Sequence, residues 1–100
     1  MYSLMIIGAD HLGKIPEKLE EMGYKKISHI NGRKNQMVKL KIPNNIDVIL
    51  VLTDYINHNL TAVIKNKAKE LGIPICYAKR SWSSIHRQLI DHKDTDLIPV

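Results

Sequence analysis

The chain has a single cysteine, Cys76, so no internal disulfide can form and nothing in it requires an oxidising compartment. No apolar run approaches the ~20 residues of a membrane span. Met1-Tyr2-Ser3-Leu4 carries neither a basic segment nor a cleavage site, so no signal peptide is expected, and a cytoplasmic, soluble protein is the default. Glycine and proline number only 5 and 4, too few for a collagen-like or low-complexity chain. There is no internal repeat and no linker. At 100 residues the chain has room for one domain, 1–100, burying roughly 60–70% of its unfolded surface. It has no room for a full dinucleotide-binding fold with two βαβ halves. Acidic residues are the minority: 15 Lys and Arg face 10 Asp and Glu, a net charge of +5.

That excess is unevenly spread. No acid occurs between Glu21 and Asp47, a window holding Lys25, Lys26, Arg33, Lys34, Lys39 and Lys41. None occurs between Glu70 and Asp91, where Lys79, Arg80 and Arg87 lie. If both windows share one side of the molecule, the positive field there favours an anionic small molecule or nucleic acid. Solvated lysines that keep a small domain soluble are the plainer explanation.

Apolar patterning supplies the elements. Leu4-Met5-Ile6-Ile7 reads as a strand buried on both faces, ending at Gly8. After the loop Gly8–Gly13, Pro16 suits a first helical turn, Ile15, Leu19 and Met22 repeat at helical spacing, and Gly23 stops the helix. Lys26–Ile30 is a weaker strand whose lysines suit a sheet edge. Asn31-Gly32 marks a turn, and residues 33–45 are basic and poorly patterned. Val48–Leu52 is the strongest strand. The loop Thr53–His58 leads to a helix from about Asn59 to Leu71, capped by Asn57 or Asn59 and ended by Gly72 and Pro74. Ile75–Ala78 is a fourth strand, Lys79–Ser83 a loop, and Ser84–Ile90 a last helix with Ile85 and Leu89 inward. Residues 91–100 form a polar, proline-bearing tail that is either loosely held or docked on a partner.

Strands alternating with helices predict an α/β fold: a small open parallel four-stranded sheet with helices on both faces. Right-handed crossovers make 2-1-3-4 the simplest strand order. The chain then leaves strand 1 and strand 3 in opposite directions, and ligands of such sheets bind at that switch point beyond the strands' carboxyl ends. The loops Gly8–Gly13 and Thr53–His58 meet there.

Several motifs compete in these loops. Gly8-x-x-x-x-Gly13-Lys14 matches most of a Walker A loop but has Ile15 where a Ser or Thr hydroxyl holds Mg²⁺. Against G-x-G-x-x-G, Asp10 replaces the glycine that lets backbone approach a pyrophosphate. Asp10, Asp54, His29 and His58, with His11, supply metal-ligand chemistry without a compact metal spacing, and so a metal-dependent enzyme is one alternative. Helix starts at Asn57-His58 and at Ser81, Ser83 and Ser84, beside Lys79, Arg80 and Arg33, form a candidate phosphate or carboxylate rim. Ordinary N-caps account for the same residues. Trp82 is placed either to stack on a base or to cover the sheet edge. Cys76, within a strand, reads as packing. Neither a nucleophile in a catalytic context nor a carboxylate pair stands out, so the chain leans away from being an enzyme.

Gly8 after the first strand, His29-x-x-Gly32, the apolar strand behind Asp47, Asn57-His58 with Lys65 following, and Gly72-x-Pro74 occur here in one order. In that order the chain resembles a bacterial domain-of-unknown-function family, number 2325, over roughly residues 3–90. The resemblance implies a small Rossmann-like domain and adds weight to His29, Gly32 and His58. Longer members show a histidine doublet and several cysteines where this chain has Ser28, Thr53 and Tyr55, which counts against a metal or haem role resting on those positions. The combined expectation is a non-enzymatic ligand-binding or regulatory domain. It recognises a small anionic, nucleotide-like molecule through Gly8, Asp10, His29, Gly32, Arg33, Asp54, His58, Arg80 and Ser81. The cofactor is unknown. Four strands leave two open edges, so a homodimer is expected. The alternative partner is nucleic acid, held by the basic segments 25–41 and 79–87.

Overall fold

A computed structural model of the chain describes residues 2–31, 42, 43 and 45–96, the stretch 91–96 as backbone only. The elements are β1 (Tyr2–Ile7), α1 (Ile15–Glu21), β2 (Tyr24–Ile30), β3 (Val48–Leu52), α2 (His58–Leu71), β4 (Ile75–Ala78) and α3 (Trp82–Asp96). The strands form one sheet in the order β2-β1-β3-β4, and every neighbouring pair is parallel. This is the Rossmann-like, or half-flavodoxin, arrangement that the alternation of strands and helices predicts.

Why the two central strands read as unbroken apolar runs is clear from the layers. On one face Leu4, Ile6, Leu50, Leu52, Cys76 and Ala78 meet Ile15 and Leu19 of α1 and Ile85 and Leu89 of α3. On the other, Met5, Ile7, Ile49 and Val51 meet Leu60, Ile64 and Ala68 of α2, with Ile46 beside them. Alternate residues of one strand thus enter different cores, and both sets must be apolar. Each large aliphatic side chain so enclosed contributes roughly 1.5–3 kcal/mol. Right-handed crossovers explain the split, because β1-α1-β2 and β3-α2-β4 run outward in opposite directions and set α1 and α2 on opposite faces.

Four boundaries depart from the sequence pattern, the first being β1, which begins at Tyr2, two residues before Leu4. β2 begins at Tyr24, two residues before Lys26, because the buried Tyr24 ring packs into the first core and the strand pairs with Tyr2 across a bulge. α3 begins at Trp82 because Ser81 closes its first turn, the Ile85 amide donating to the Ser81 carbonyl at 3.0 Å. It also runs on to Asp96, past Ile90 where the apolar periodicity stops. Trp82 is therefore not in a loop. Its ring packs partly on the first core, with the Lys18 ammonium 5.6 Å from the ring centre, as expected of a side chain covering the sheet rather than awaiting a base.

Candidate functional site

At the carboxyl end of the sheet the backbone turns sharply just after β1. Gly8 has φ +123°, and a Cβ there would lie 2.9 Å from the Leu52 Cβ and 3.0 Å from the Leu52 carbonyl oxygen. No other residue fits that approach. The glycine lets the loop after β1 lie directly on the loop after β3. The two are then tied by the Ala9 amide, which donates to the Tyr55 carbonyl at 2.9 Å, while the Gly8 amide donates to the Ile30 carbonyl at the end of β2 at 2.8 Å. Ala9 itself takes a left-handed conformation, φ 65°, which costs a non-glycine residue about 1–2 kcal/mol.

His29, at the end of β2, explains how that strained turn is held. Its Nε2 lies 3.0 Å from the Gly8 carbonyl oxygen and 2.9 Å from the Ala9 carbonyl oxygen. Both neighbours are acceptors, so Nε2 carries the proton and donates to the pair. The histidine acts as a clamp on the turn.

The outer side of the turn forms a shallow, open cleft of about 270 Å³ lined by Ala9, Asp10, His11, Tyr55 and Arg80. These residues come from the loops after β1, β3 and β4, so the cleft sits over the switch point between β1 and β3. Arg80 is fixed at both ends. Its amide donates to Asp54 Oδ1 at 2.9 Å, and its Nε donates to the His11 carbonyl at 2.7 Å. The guanidinium thus bridges from the β4 loop to the β1 loop, with one terminal nitrogen 3.9 Å from where a Cβ on Gly13 would be. Among the described residues its terminal nitrogens make no hydrogen bond.

Of the residues expected to form a site, Asp10 and Arg80 line this cleft, while Gly8, His29 and Asp54 shape its walls from behind. Ser81 is exposed, and its Oγ accepts from the Ser84 amide at 3.4 Å. His58 is the exposed first residue of α2 and is not among the residues lining the cleft. Gly32 and Arg33 lie outside the described residues. Sequence reasoning does not select Ala9 or Tyr55. A left-handed alanine has no sequence signature, and Tyr55 stands between Asp54 and His58, whose chemistry is more familiar.

The helix starts behave as ordinary caps. Asn57 Oδ1 accepts from the Asn59 and Leu60 amides at 2.9 and 3.3 Å, so α2 satisfies its own first turn. Ser81 does the same for α3. Among the described residues no three His, Cys, Asp or Glu side chains come together as a metal site, and His29 Nε2 is committed to two carbonyls. The metal-enzyme alternative at Asp10, Asp54, His29 and His58 therefore lacks its geometry. The two basic windows also part company in their described portions. Lys26 pairs at the amino end of β1 on the β2 edge, whereas Lys79 and Arg80 follow the carboxyl end of β4 on the other edge. Cys76 is buried in β4, consistent with packing.

No described helix is long and apolar enough to cross a membrane. No match occurs among curated proteins or among solved structures. Residues 3–92 match the family described as an uncharacterized protein conserved in bacteria (DUF2325), and with nearly the whole chain so covered the protein belongs to that family.

Proposed function

We propose that this protein is a non-enzymatic ligand-binding or regulatory domain that takes a small anionic, nucleotide-like molecule in the cleft over the switch point. The architecture is that of small-molecule-binding α/β domains, in which the crevice beyond the strands' carboxyl ends receives the ligand. The observation that carries the reading is Arg80. Tethered through its Nε, the guanidinium is held in place with its terminal nitrogens available for a bidentate bond to phosphate or carboxylate. Asp10, which also lines the cleft, adds a carboxylate to accept from ligand hydroxyls, and Tyr55, 56% exposed, offers an apolar ring face to a base or similar ring. A carboxylate and an arginine lining one cleft suit a molecule with both an anionic and a hydroxyl-rich part better than a bare anion.

Isothermal titration with a panel of nucleoside mono- and diphosphates tests this, with amide chemical shifts mapped alongside. Saturable binding is expected, with shifts centred on residues 8–11, 54, 55 and 80. Arg80→Ala should weaken it at least tenfold, about 1.4 kcal/mol or more, the size of one charge-assisted hydrogen bond. Binding that leaves those amides unmoved, or that survives Arg80→Ala unchanged, refutes the assignment.

A further inference from the structure

The two edges of the sheet are built differently. β2 carries Lys25 and Lys26, both exposed, as a solitary edge that must repel other strands does. β4, Ile75-Cys76-Tyr77-Ala78, carries no charge and no proline, and the Tyr77 side chain is 36% exposed. We propose that β4 is the self-association edge of this protein, joining two copies antiparallel about a twofold axis at Cys76 into one continuous sheet. This is independent of what the cleft binds.

The register follows from main-chain groups. The Pro74 and Ala78 carbonyls accept from the Ile49 and Thr53 amides of the β3 side, so by strand alternation Ile75 and Tyr77 turn their N–H and C=O outward. No described residue bonds to those two amides. In either direction the open edge stops: the Ile73 amide donates to the Ala68 carbonyl, and the Lys79 amide to Ser84 Oγ. Pairing Ile75 with Ile75 of a second copy would require the Ile73 amide, and pairing Tyr77 with Tyr77 would require that of Lys79. Only Ile75 opposite Tyr77 uses open groups throughout, each pair exchanging both of its main-chain bonds.

Side chains agree with this register. Ile75 and Tyr77 project to the same face, so each tyrosine meets the isoleucine of the other copy, an aromatic and β-branched pair of the kind that stabilises antiparallel ribbons. Charge agrees too. Lys79 of one copy falls opposite position 73 of the other, leaving the two Lys79 residues about 20 Å apart along the ribbon, beyond the screening length at physiological salt. Joining two β2 edges would instead crowd lysines together. A ribbon this short buries little surface, so the dimer should be concentration-dependent.

Light scattering and sedimentation of the whole chain over a wide concentration range test the proposal, with amide hydrogen exchange read in parallel. The mass should climb towards twice the 11.5 kDa of one chain. The Ile75 and Tyr77 amides should gain protection over the same range. Tyr77→Lys, at an exposed edge position, and Tyr77→Pro, which deletes an outward N–H only, should each leave a folded monomer, whereas Lys26→Ala should still dimerise. A wild-type chain that stays monomeric at millimolar concentration overturns the proposal. So does a dimer that persists in both Tyr77 variants or leaves the β4 amides unprotected.

Discussion

At the scale of single residues, His29 has the role least visible in its chemistry. An imidazole near aspartates invites a metal or proton-transfer reading, yet its Nε2 is spent on the Gly8 and Ala9 carbonyls. It supports the conformation that presents Asp10 and His11 to the cleft. His29→Ala should therefore destabilise the fold by about 1–2 kcal/mol, the cost of leaving partly buried acceptors unpaired, measurable by urea unfolding. It should also shift the amides of residues 8–11 in the folded protein. An unchanged denaturation midpoint would mean that the turn holds without its clamp.

Among the elements, the helices show how local signals and tertiary contacts divide the work. α2 is written almost entirely in local chemistry: Asn57 caps it, Leu60, Ile64 and Ala68 bury at helical spacing, and Gly72 ends it at φ 69°. Asn57→Ala should cost about 1 kcal/mol, read as a lower urea midpoint with the slope unchanged, and Asn57→Asp should retain most of the stability. α3 is legible only in its middle, where Ile85 and Leu89 face the sheet. Its start is ambiguous because Ser81 and Ser83 are equivalent as cap candidates in sequence. Its continuation to Asp96 leaves no trace in the pattern because 91–96 has no apolar periodicity. The site follows the same division. Asp10 and Arg80 can be selected by residue type and loop position, whereas Ala9 and Tyr55 enter the cleft only because Gly8 allows two loops to touch.

For the molecule as a whole, the question is where the positive charge ends up. Lys25 and Lys26 occupy one sheet edge near its amino end, and Lys79 and Arg80 the other edge at its carboxyl end. Three strand spacings, about 14 Å, and the length of a strand separate Lys79 from Lys25 and Lys26, while the Arg80 guanidinium reaches back to the loop after β1. Among the described residues the two groups therefore do not form one continuous patch. If duplex DNA engages only Lys79, Arg80 and Arg87, affinity should be weak, with a log–log salt slope no steeper than about −3. Fluorescence anisotropy from low to physiological salt measures this. A much steeper slope would support the nucleic-acid reading and draw in Lys25, Lys26 and the basic stretch from Arg33 to Lys41.

The sequence by itself determined the class and order of elements. A continuous apolar strand such as Val48–Leu52 must be buried on both faces, the alternation of strands and helices requires parallel pairing, and the handedness of crossovers leaves 2-1-3-4 as the simplest order. These are short-range or chiral constraints that each segment carries within itself. Only the tertiary structure decided the site's shape and the inequality of the two edges. The Gly8–Leu52 approach, the His29 clamp, the Arg80 bridge to the His11 carbonyl and the outward turn of the Ile75 and Tyr77 amides all depend on residues far apart in the chain. Their partners are set by strand register, which no local pattern encodes.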